Sequence, residues 1–401
     1  MQRLPFKFIT ALALCGTSLA VPQIVHAQTY AYTLKDLSTF GANTNVSQGL
    51  AVNNAGQVAG YSYTSEAANA FLSGSNGGAL HNLGTLGGYD STAYGVNAAG
   101  QVTGYGRIAD NTNFHAFLSD PNGGALHDLG TLGGDRSIGL GVNSNGQVAG
   151  GSDFVPGLNQ THAFLSDPNG GALHDLGTLG GGSSGAQAVN DSGQVTGSAQ
   201  IAGDSVYHAF ISAPNGGALR DLGTLGGSGS TGLGINSTGQ VAGFSFFSAA
   251  NNIHAFLSAS NGGALQDLGT LHGGNSQANA VNDLGQVVGQ SDAGIRSMFH
   301  PPLQDAFLFS NGTMVDLNSL IAPGSGLTLA SAFGITDTGL ITGYAYTANY
   351  ATTPDGGMHA FLLTPNPAAV PEASTTVSLG LLLALGLSGA AVAARKKKVA
   401  V

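Results

Sequence analysis

The sequence predicts an all-β fold: a seven-bladed β-propeller of four-stranded repeats of about 46 residues, with the N-terminal strand closing the last blade and a separate C-terminal membrane-spanning helix. Three observations predict it. One stretch, clearest at Gly141 to Leu176 (GVNSNGQVAGGSDFVPGLNQTHAFLSDPNGGALHDL), recurs seven times, and such a period marks a repeat architecture. Each copy holds four short apolar runs separated by turn chemistry, which is the strand content of one blade. Finally, the array opens on a lone strand of the fourth type, Tyr32 to Leu37, and closes on one of the third type, His359 to Leu363, so its two ends add up to one complete blade. Lending the first strand to the last blade removes both open sheet ends, which a solenoid would have to cap separately.

The third copy sets out the elements in order. Strand a is expected at Leu140 to Asn143, b at Gln147 to Ser152, c at His162 to Ser166 and d at Ala172 to Leu176. Asn143 and Gly146 supply side-chain turn bonding and a positive φ between a and b, and Asp167-Pro168-Asn169-Gly170-Gly171 is a dense turn signal between c and d. The turn glycine recurs at Gly56, Gly100, Gly146, Gly193, Gly239, Gly285 and Gly339. The phenylalanine of strand c recurs at Phe71, Phe117, Phe164, Phe210, Phe256, Phe307 and Phe361.

Composition supports strands over helices. Gly numbers 65 and charged residues are 8%, and each Gly in a helix interior costs roughly 1 kcal/mol relative to Ala. Regular apolar runs between specified turns argue against disorder. Residues 28–365 carry five basic side chains against 20 acidic ones, a net of −15. That excludes nucleic acid as a partner, because such binding rests on phosphate neutralisation by Lys and Arg. The acidity reads as solubility, and no Asp-x-Asp-x-Asp-Gly loop points to calcium. The one cysteine, Cys15, falls in the leader, so the ring has no disulfide to rely on.

The two ends read as addresses. Arg3 and Lys7 precede the apolar run Phe8 to Ala13, and Val25-His26-Ala27 is a small-residue cleavage pattern, so residues 1–27 read as a secretory signal peptide cut after Ala27. The ring occupies 28–365 and a linker 366–374. An uncharged segment at 375–394 is long enough to span a bilayer, and the basic tail 395–401, with Arg395-Lys396-Lys397-Lys398, would stay on the cytoplasmic side. The chain is therefore expected to be exported and held, at least transiently, in an inner membrane.

The order of Pro371-Glu372-Ala373-Ser374, apolar span and basic end resembles the PEP-CTERM sorting signal of Gram-negative bacteria that make extracellular polysaccharide. The resemblance implies an exosortase-like processing enzyme as partner, with Pro371 and Glu372 as the sorting motif; Ala373 stands where that family usually has Pro. The repeat itself resembles the HAF-repeat family of extracellular proteins, on His115-Ala116-Phe117, His162-Ala163-Phe164, His208-Ala209-Phe210, His254-Ala255-Phe256 and His359-Ala360-Phe361. Asn69 and Asp305 take the histidine place in the other two copies. This second resemblance implies an exported protein and no particular activity.

Loop lengths point to the face where a function would sit. The a-to-b step is the same in all seven copies, while the step from the glycine of strand b to the phenylalanine of strand c varies from 11 residues (Gly60 to Phe71) to 18 (Gly289 to Phe307). In an up-and-down blade the b-to-c and d-to-a connections share one face, and variable loops on a rigid scaffold are where binding is expected. The candidate binding residues there are Tyr61, Tyr105, Arg107, Tyr207, Tyr344 and Tyr346, in the company of Tyr63, Phe154, Phe246, Phe247, His300 and Tyr350. Aromatic rings with a polar rim suit stacking on sugars.

Other chemistry finds little support. Equivalent histidines on neighbouring blades are too far apart to share a zinc ion at about 2.0 to 2.1 Å. They are expected instead to lie opposite carboxylates across the c-to-d hairpin, satisfying two polar groups between packed blades: His115 with Asp128, His162 with Asp175, His208 with Asp221, and His254 with Gln266 or Asp267. The Leu-Gly-Thr-Leu-Gly-Gly runs lead from strand to strand without opening a helix, so they read as turns and not as phosphate cradles. No Gly-x-Ser-x-Gly elbow is present. No cofactor and no metal site is expected.

The function read from the sequence is an exported cell-surface or matrix propeller acting as a binding or structural module, with exopolysaccharide as a candidate partner. The alternative is a glycan-active hydrolase or lyase using Asp292, Asp305, Asp355, His300 or Tyr346, which would need paired carboxylates about 5 to 9.5 Å apart.

Overall fold

The computed structural model describes residues 31–40, 46–65, 67–157, 160–203, 206–247, 252–293, 304–348 and 357–367. Residues 1–27, expected to be a leader cut after Ala27, the Pro371-Glu372 pair, the apolar segment 375–394, the basic residues 395–401, His300, Tyr350 and Asp355 lie outside them. Among the described residues no helix is long and apolar enough to cross a membrane.

These residues form seven four-stranded antiparallel sheets and no α-helix. Six blades run a-b-c-d in chain order. Blade 3, for example, comprises Ser137–Val142, Val148–Asp153, Thr161–Ser166 and Leu173–Asp175. Blade 7 takes its a, b and c strands from Leu327–Ile335, Ile341–Thr347 and Met358–Pro365, and its outer strand is the N-terminal Tyr32–Ser38. The register runs from Tyr32 opposite Pro365 to Asp36 opposite Phe361. The ring is closed as the unmatched end strands require.

The His-Ala-Phe tripeptide works through strand alternation. Successive side chains point to opposite faces of a sheet, so Ala163 faces blade 4, where it meets Phe210, and Phe164 faces blade 2, where it meets Ala116 and Leu118. All seven phenylalanines of strand c are fully buried. Each large ring thus fills the space left by a small residue on the preceding blade, worth about 1.5 to 3 kcal/mol per phenylalanine relative to exposure. At the closure Phe71 of blade 1 packs with Leu37, Ala360 and Leu362 of blade 7.

One face of the ring is tied down by turns. Gly146 (φ 69°), Asn169 (φ 56°) and Gly170 (φ 67°) all have positive φ. The amides of Asn169 and Gly170 donate to the carbonyls of Asn145 and Gly146 at 3.1 and 3.0 Å, joining the c-to-d turn to the a-to-b turn. Asn143 Oδ1 accepts from the amides of Asn145 and Gln147, while its Nδ2 donates to the Asn190 carbonyl of the next blade at 3.1 Å. The same latch passes from Asn53 to Asn97, Asn97 to Asn143, Asn190 to Asn236, Asn236 to Asn282 and Asn282 to the carbonyl of Thr336. Blade 7 carries Thr336 in the asparagine place, and a threonine has no amide with which to continue.

A second staple joins the blades at mid-height. The hydroxyl of Ser184 in blade 4 accepts from the Ala163 amide of blade 3 at 2.9 Å and donates to Gly177 O at 2.5 Å. Ser47 repeats the first bond across the closure, to Ala360 N at 2.9 Å.

Candidate functional site

The b-to-c and d-to-a connections emerge together on the face opposite the latched turns. In blade 3 the end of strand b and the d-to-a loop exchange backbone bonds, Gly134 N to Asp153 O at 3.0 Å and Asp153 N to Arg136 O at 2.8 Å. The inner a strands of all seven blades line a central cavity of about 440 Å³.

An arc of aromatic side chains spans blades 7, 1 and 2 near this cavity. Tyr94 and Phe333 come from the inner strands of blades 2 and 7 and line it. In both strands the register shifts beside the aromatic residue, and such bulges re-aim side chains. Tyr61 with Tyr63, Tyr105, and Tyr344 with Tyr346 come from strand b, where residues two apart share a face. Ring centroids are 6.0 Å apart for Tyr61 and Tyr63, 6.3 Å for Tyr94 and Tyr105, 5.3 Å for Tyr105 and Phe114, 6.0 Å for Phe333 and Tyr344, and 5.6 Å for Tyr344 and Tyr346. Burial, with the neighbouring phenols adding to it, pushes the hydroxyls of Tyr61 and Tyr94 up to about 12. They stay neutral in ordinary conditions. Tyr63 is 44% exposed, which gives the arc a solvent side.

Four of the six sequence candidates, Tyr61, Tyr105, Tyr344 and Tyr346, thus lie in the arc. Arg107 lies at its edge and is engaged: its Nε is 3.1 Å from Asp90 Oδ1, its guanidinium lies over the Tyr89 ring at 5.0 Å, and Nη1 donates to the Asn111 carbonyl at 3.2 Å. Tyr207 stands apart, in a cleft of about 500 Å³ between blades 4 and 5 with Phe244 and Phe246. Phe154 and Phe247 pack on His162 and His254 at 4.0 and 4.6 Å. Sequence reasoning missed Tyr94 and Phe333 because the inner strand was read as a uniform core element. The replacement of a Leu, seen at Leu50, Leu140 and Leu233, by an aromatic residue was the available signal.

The histidines meet carboxylates: His115 with Asp128 at 2.9 Å, His162 with Asp175 at 2.8 Å, His208 with Asp221 at 2.9 Å and His254 with Asp267 at 2.9 Å. Two details differ from expectation. Phe164, not His162, stands opposite Asp175 in the register, so the pair is diagonal. The pairs are also not buried between blades, since the Asp175 side chain is 43% exposed. A fifth pair, His359 with Asp36 at 2.9 Å, bridges the last and first strands of the ring.

The two copies without histidine rebuild the contact. In blade 1, Asn82 Nδ2 donates to Asn69 Oδ1 at 3.1 Å. In blade 6, Asn318 Nδ2 reaches Asp305 Oδ1 at 3.4 Å, and Asp305 is fully buried. Asp292 is held by the Asn275 amide at 2.9 Å and its Nδ2 at 3.1 Å. Among the described residues no group of three or more His, Cys, Asp or Glu side chains could hold a metal ion.

No protein-family model matches the chain, and no curated protein matches it. Solved structures do. The β-propeller domain of the Trilobed protease from Pyrococcus furiosus, described as having an open velcro topology, is 9% identical over 87% of this chain and 99% of that one, with a TM-score of 0.53. Oligogalacturonate lyase from Vibrio parahaemolyticus is 9% identical over 85% of this chain and 99% of that one, with a TM-score of 0.51. The chain spans 61% of TolB from Acinetobacter baumannii at 12% identity, with a TM-score of 0.44. The class that the seven four-stranded sheets define, in keeping with the likeness to the Trilobed protease domain, is the β-propeller. At such identities the likenesses speak for the fold alone.

Proposed function

We propose that the chain is an exported β-propeller that binds polysaccharide at the cell surface or in the extracellular matrix, using the aromatic arc of blades 7, 1 and 2. The observation that carries this reading is the convergence of Tyr61, Tyr94, Tyr105 and Tyr344 from three blades. Aromatic rings offer a flat apolar face for a sugar ring and a hydroxyl at the edge. The leader and sorting tail support the location, with an exosortase-like enzyme as processing partner and the inner membrane as a stage on the way out. Of the candidates for the alternative, a hydrolase or lyase, Asp292 and Asp305 are both engaged in hydrogen bonds within the ring, and His300 and Asp355 lie outside the described residues.

A glycan array probed with the purified ring, residues 28–367, tests the proposal. Saturable binding that is lost in Tyr344→Ala and Tyr346→Ala is the expected result. New reducing ends or unsaturated sugars would replace the module with an enzyme, and neither binding nor turnover would leave only an architectural role.

A further inference from the structure

We infer that the aromatic arc takes a neutral polysaccharide and rejects polyuronates, an inference that rests on the glycan-binding reading above. The first ground is the absence of an available cation among the described residues around the arc. An acidic sugar is recognised by a charge-assisted, often bidentate, contact from Arg or Lys. Both arginines near the arc already face an aspartate: Arg107 lies 3.1 Å from Asp90 as an ion pair and donates to the Asn111 carbonyl, and Arg136 donates to Asp153 at 2.9 Å. Arg136 also lies over the Phe114 ring at 5.9 Å.

The second ground is the sign of what remains. Asp110, at the tip of the blade 2 b-to-c loop, and Asp135, on the following d-to-a loop, are exposed. Among the described residues neither is paired with an arginine. Asp110 accepts from the amides of Thr112 and Asn113, which hold its carboxyl below the usual carboxylate range, and Asp135 accepts from the Gly157 amide. The rim beside the rings is therefore negative, and a polymer of like charge is repelled before any stacking contact forms.

The third ground is the polar group the arc does offer. Gln48 stands opposite Tyr61 in the register, and its Nε2 lies 3.9 Å from Met358 Sδ, a thioether that accepts only weakly. A carboxamide beside stacked rings supplies one acceptor and two donors to sugar hydroxyls without adding charge.

The test measures binding of the purified ring to dextran and to polygalacturonate at low and high salt, by calorimetry. Dextran, or another neutral glucan, is expected to bind with an affinity that salt leaves unchanged, and polygalacturonate is not. Tyr63→Ala, at an exposed position, should weaken neutral binding about tenfold, the equivalent of about 1.4 kcal/mol, with no change in Tm. Tyr61→Phe, which keeps the ring and the packing, should retain most of the affinity. Binding to polygalacturonate with no binding to neutral glucans overturns the inference and leaves the glycan-binding function standing. Neutral binding indifferent to Tyr63→Ala and Gln48→Ala overturns the assignment to this arc. Failure to bind any glycan overturns both readings.

Discussion

At the scale of single residues the histidines show how a repeated motif can look functional and act structurally. Asp175 does two tasks, accepting from His162 Nδ1 at 2.8 Å and from the Gly177 amide at 2.7 Å, so it caps the turn into the next blade and also holds the imidazole. His162→Ala removes one partly exposed hydrogen bond, worth about 0.5 to 1.5 kcal/mol, and the ring that Phe154 packs on, whereas Asp175→Ala removes two hydrogen bonds and leaves the mostly buried His162 imidazole without its acceptor, the costlier change. Thermal unfolding of the two variants should therefore rank Asp175→Ala as the more damaging, with glycan binding untouched in both; equal losses would mean that the turn bond contributes nothing. The pairing partner was legible at His115, His162 and His208 from counting back through the hairpin. What was not legible is the compensation at the departures. Asn69 looks like a lost histidine until Asn82 is seen to have changed with it, and Asp305 until Asn318 is seen to reach it from the 3-10 turn after strand d, because one column of a repeat carries no sign of what its partners have done.

At the scale of the element, the b strands each carry a glycine that the repeat alone marks only as a landmark. A Cβ built on Gly150 would sit 1.9 Å from the Ile138 carbonyl oxygen of strand a, and the clash recurs at Gly60 with Gln48 O and at Gly343 with Ser331 O. The cause is the shift of register in strand a, between Gly139 and Gly141 in blade 3, which brings the bulged backbone over the neighbouring strand. A glycine inside a strand pattern is the sequence sign of such an approach, but which backbone comes close is set by pairing between strands. Gly150→Ala forces backbone, not a flexible side chain, to move, so it should cost about 3 kcal/mol, read as a fall in the urea midpoint. Gly157→Ala is the internal control. Its Cβ would meet nothing within 4 Å, so only the strain of its positive φ (72°) would register. The same register shift aims Tyr94 and Phe333 into the central cavity, which is why the candidate site was half legible: strand-b aromatics follow from alternation, while inner-strand ones follow from a bulge.

At the scale of the whole molecule, the ring has one seam, and it lies where its first and last strands meet. Six junctions carry an asparagine latch; at the seventh Thr336 has no side-chain amide to offer, and closure falls to the Ser47 staple on the Ala360 amide, to the pairing of Tyr32–Ser38 with Met358–Pro365 and to side-chain contacts of the first strand. These are Lys35 Nζ to the Asn76 carbonyl at 3.0 Å, Leu37 in the apolar cluster with Phe71, and Asp36 with His359. Burial of Asp36 works to raise its carboxyl, but the bonds from His359 and the Ser38 amide outweigh it and leave it below its ordinary value. The sign of the pH dependence follows. A carboxyl depressed in the folded state contributes stability that is present above its unfolded value, about 3.9, and is lost as pH falls through the lower folded value. Acid should therefore loosen the seam before the blades. Hydrogen exchange at neutral pH and at about pH 3 should show the amides of Tyr32–Ser38 losing protection ahead of those of Thr161–Ser166 in blade 3, and Asp36→Ala should reproduce that order at neutral pH. Uniform loss of protection around the ring would mean that all seven junctions open together and that the missing latch is without effect.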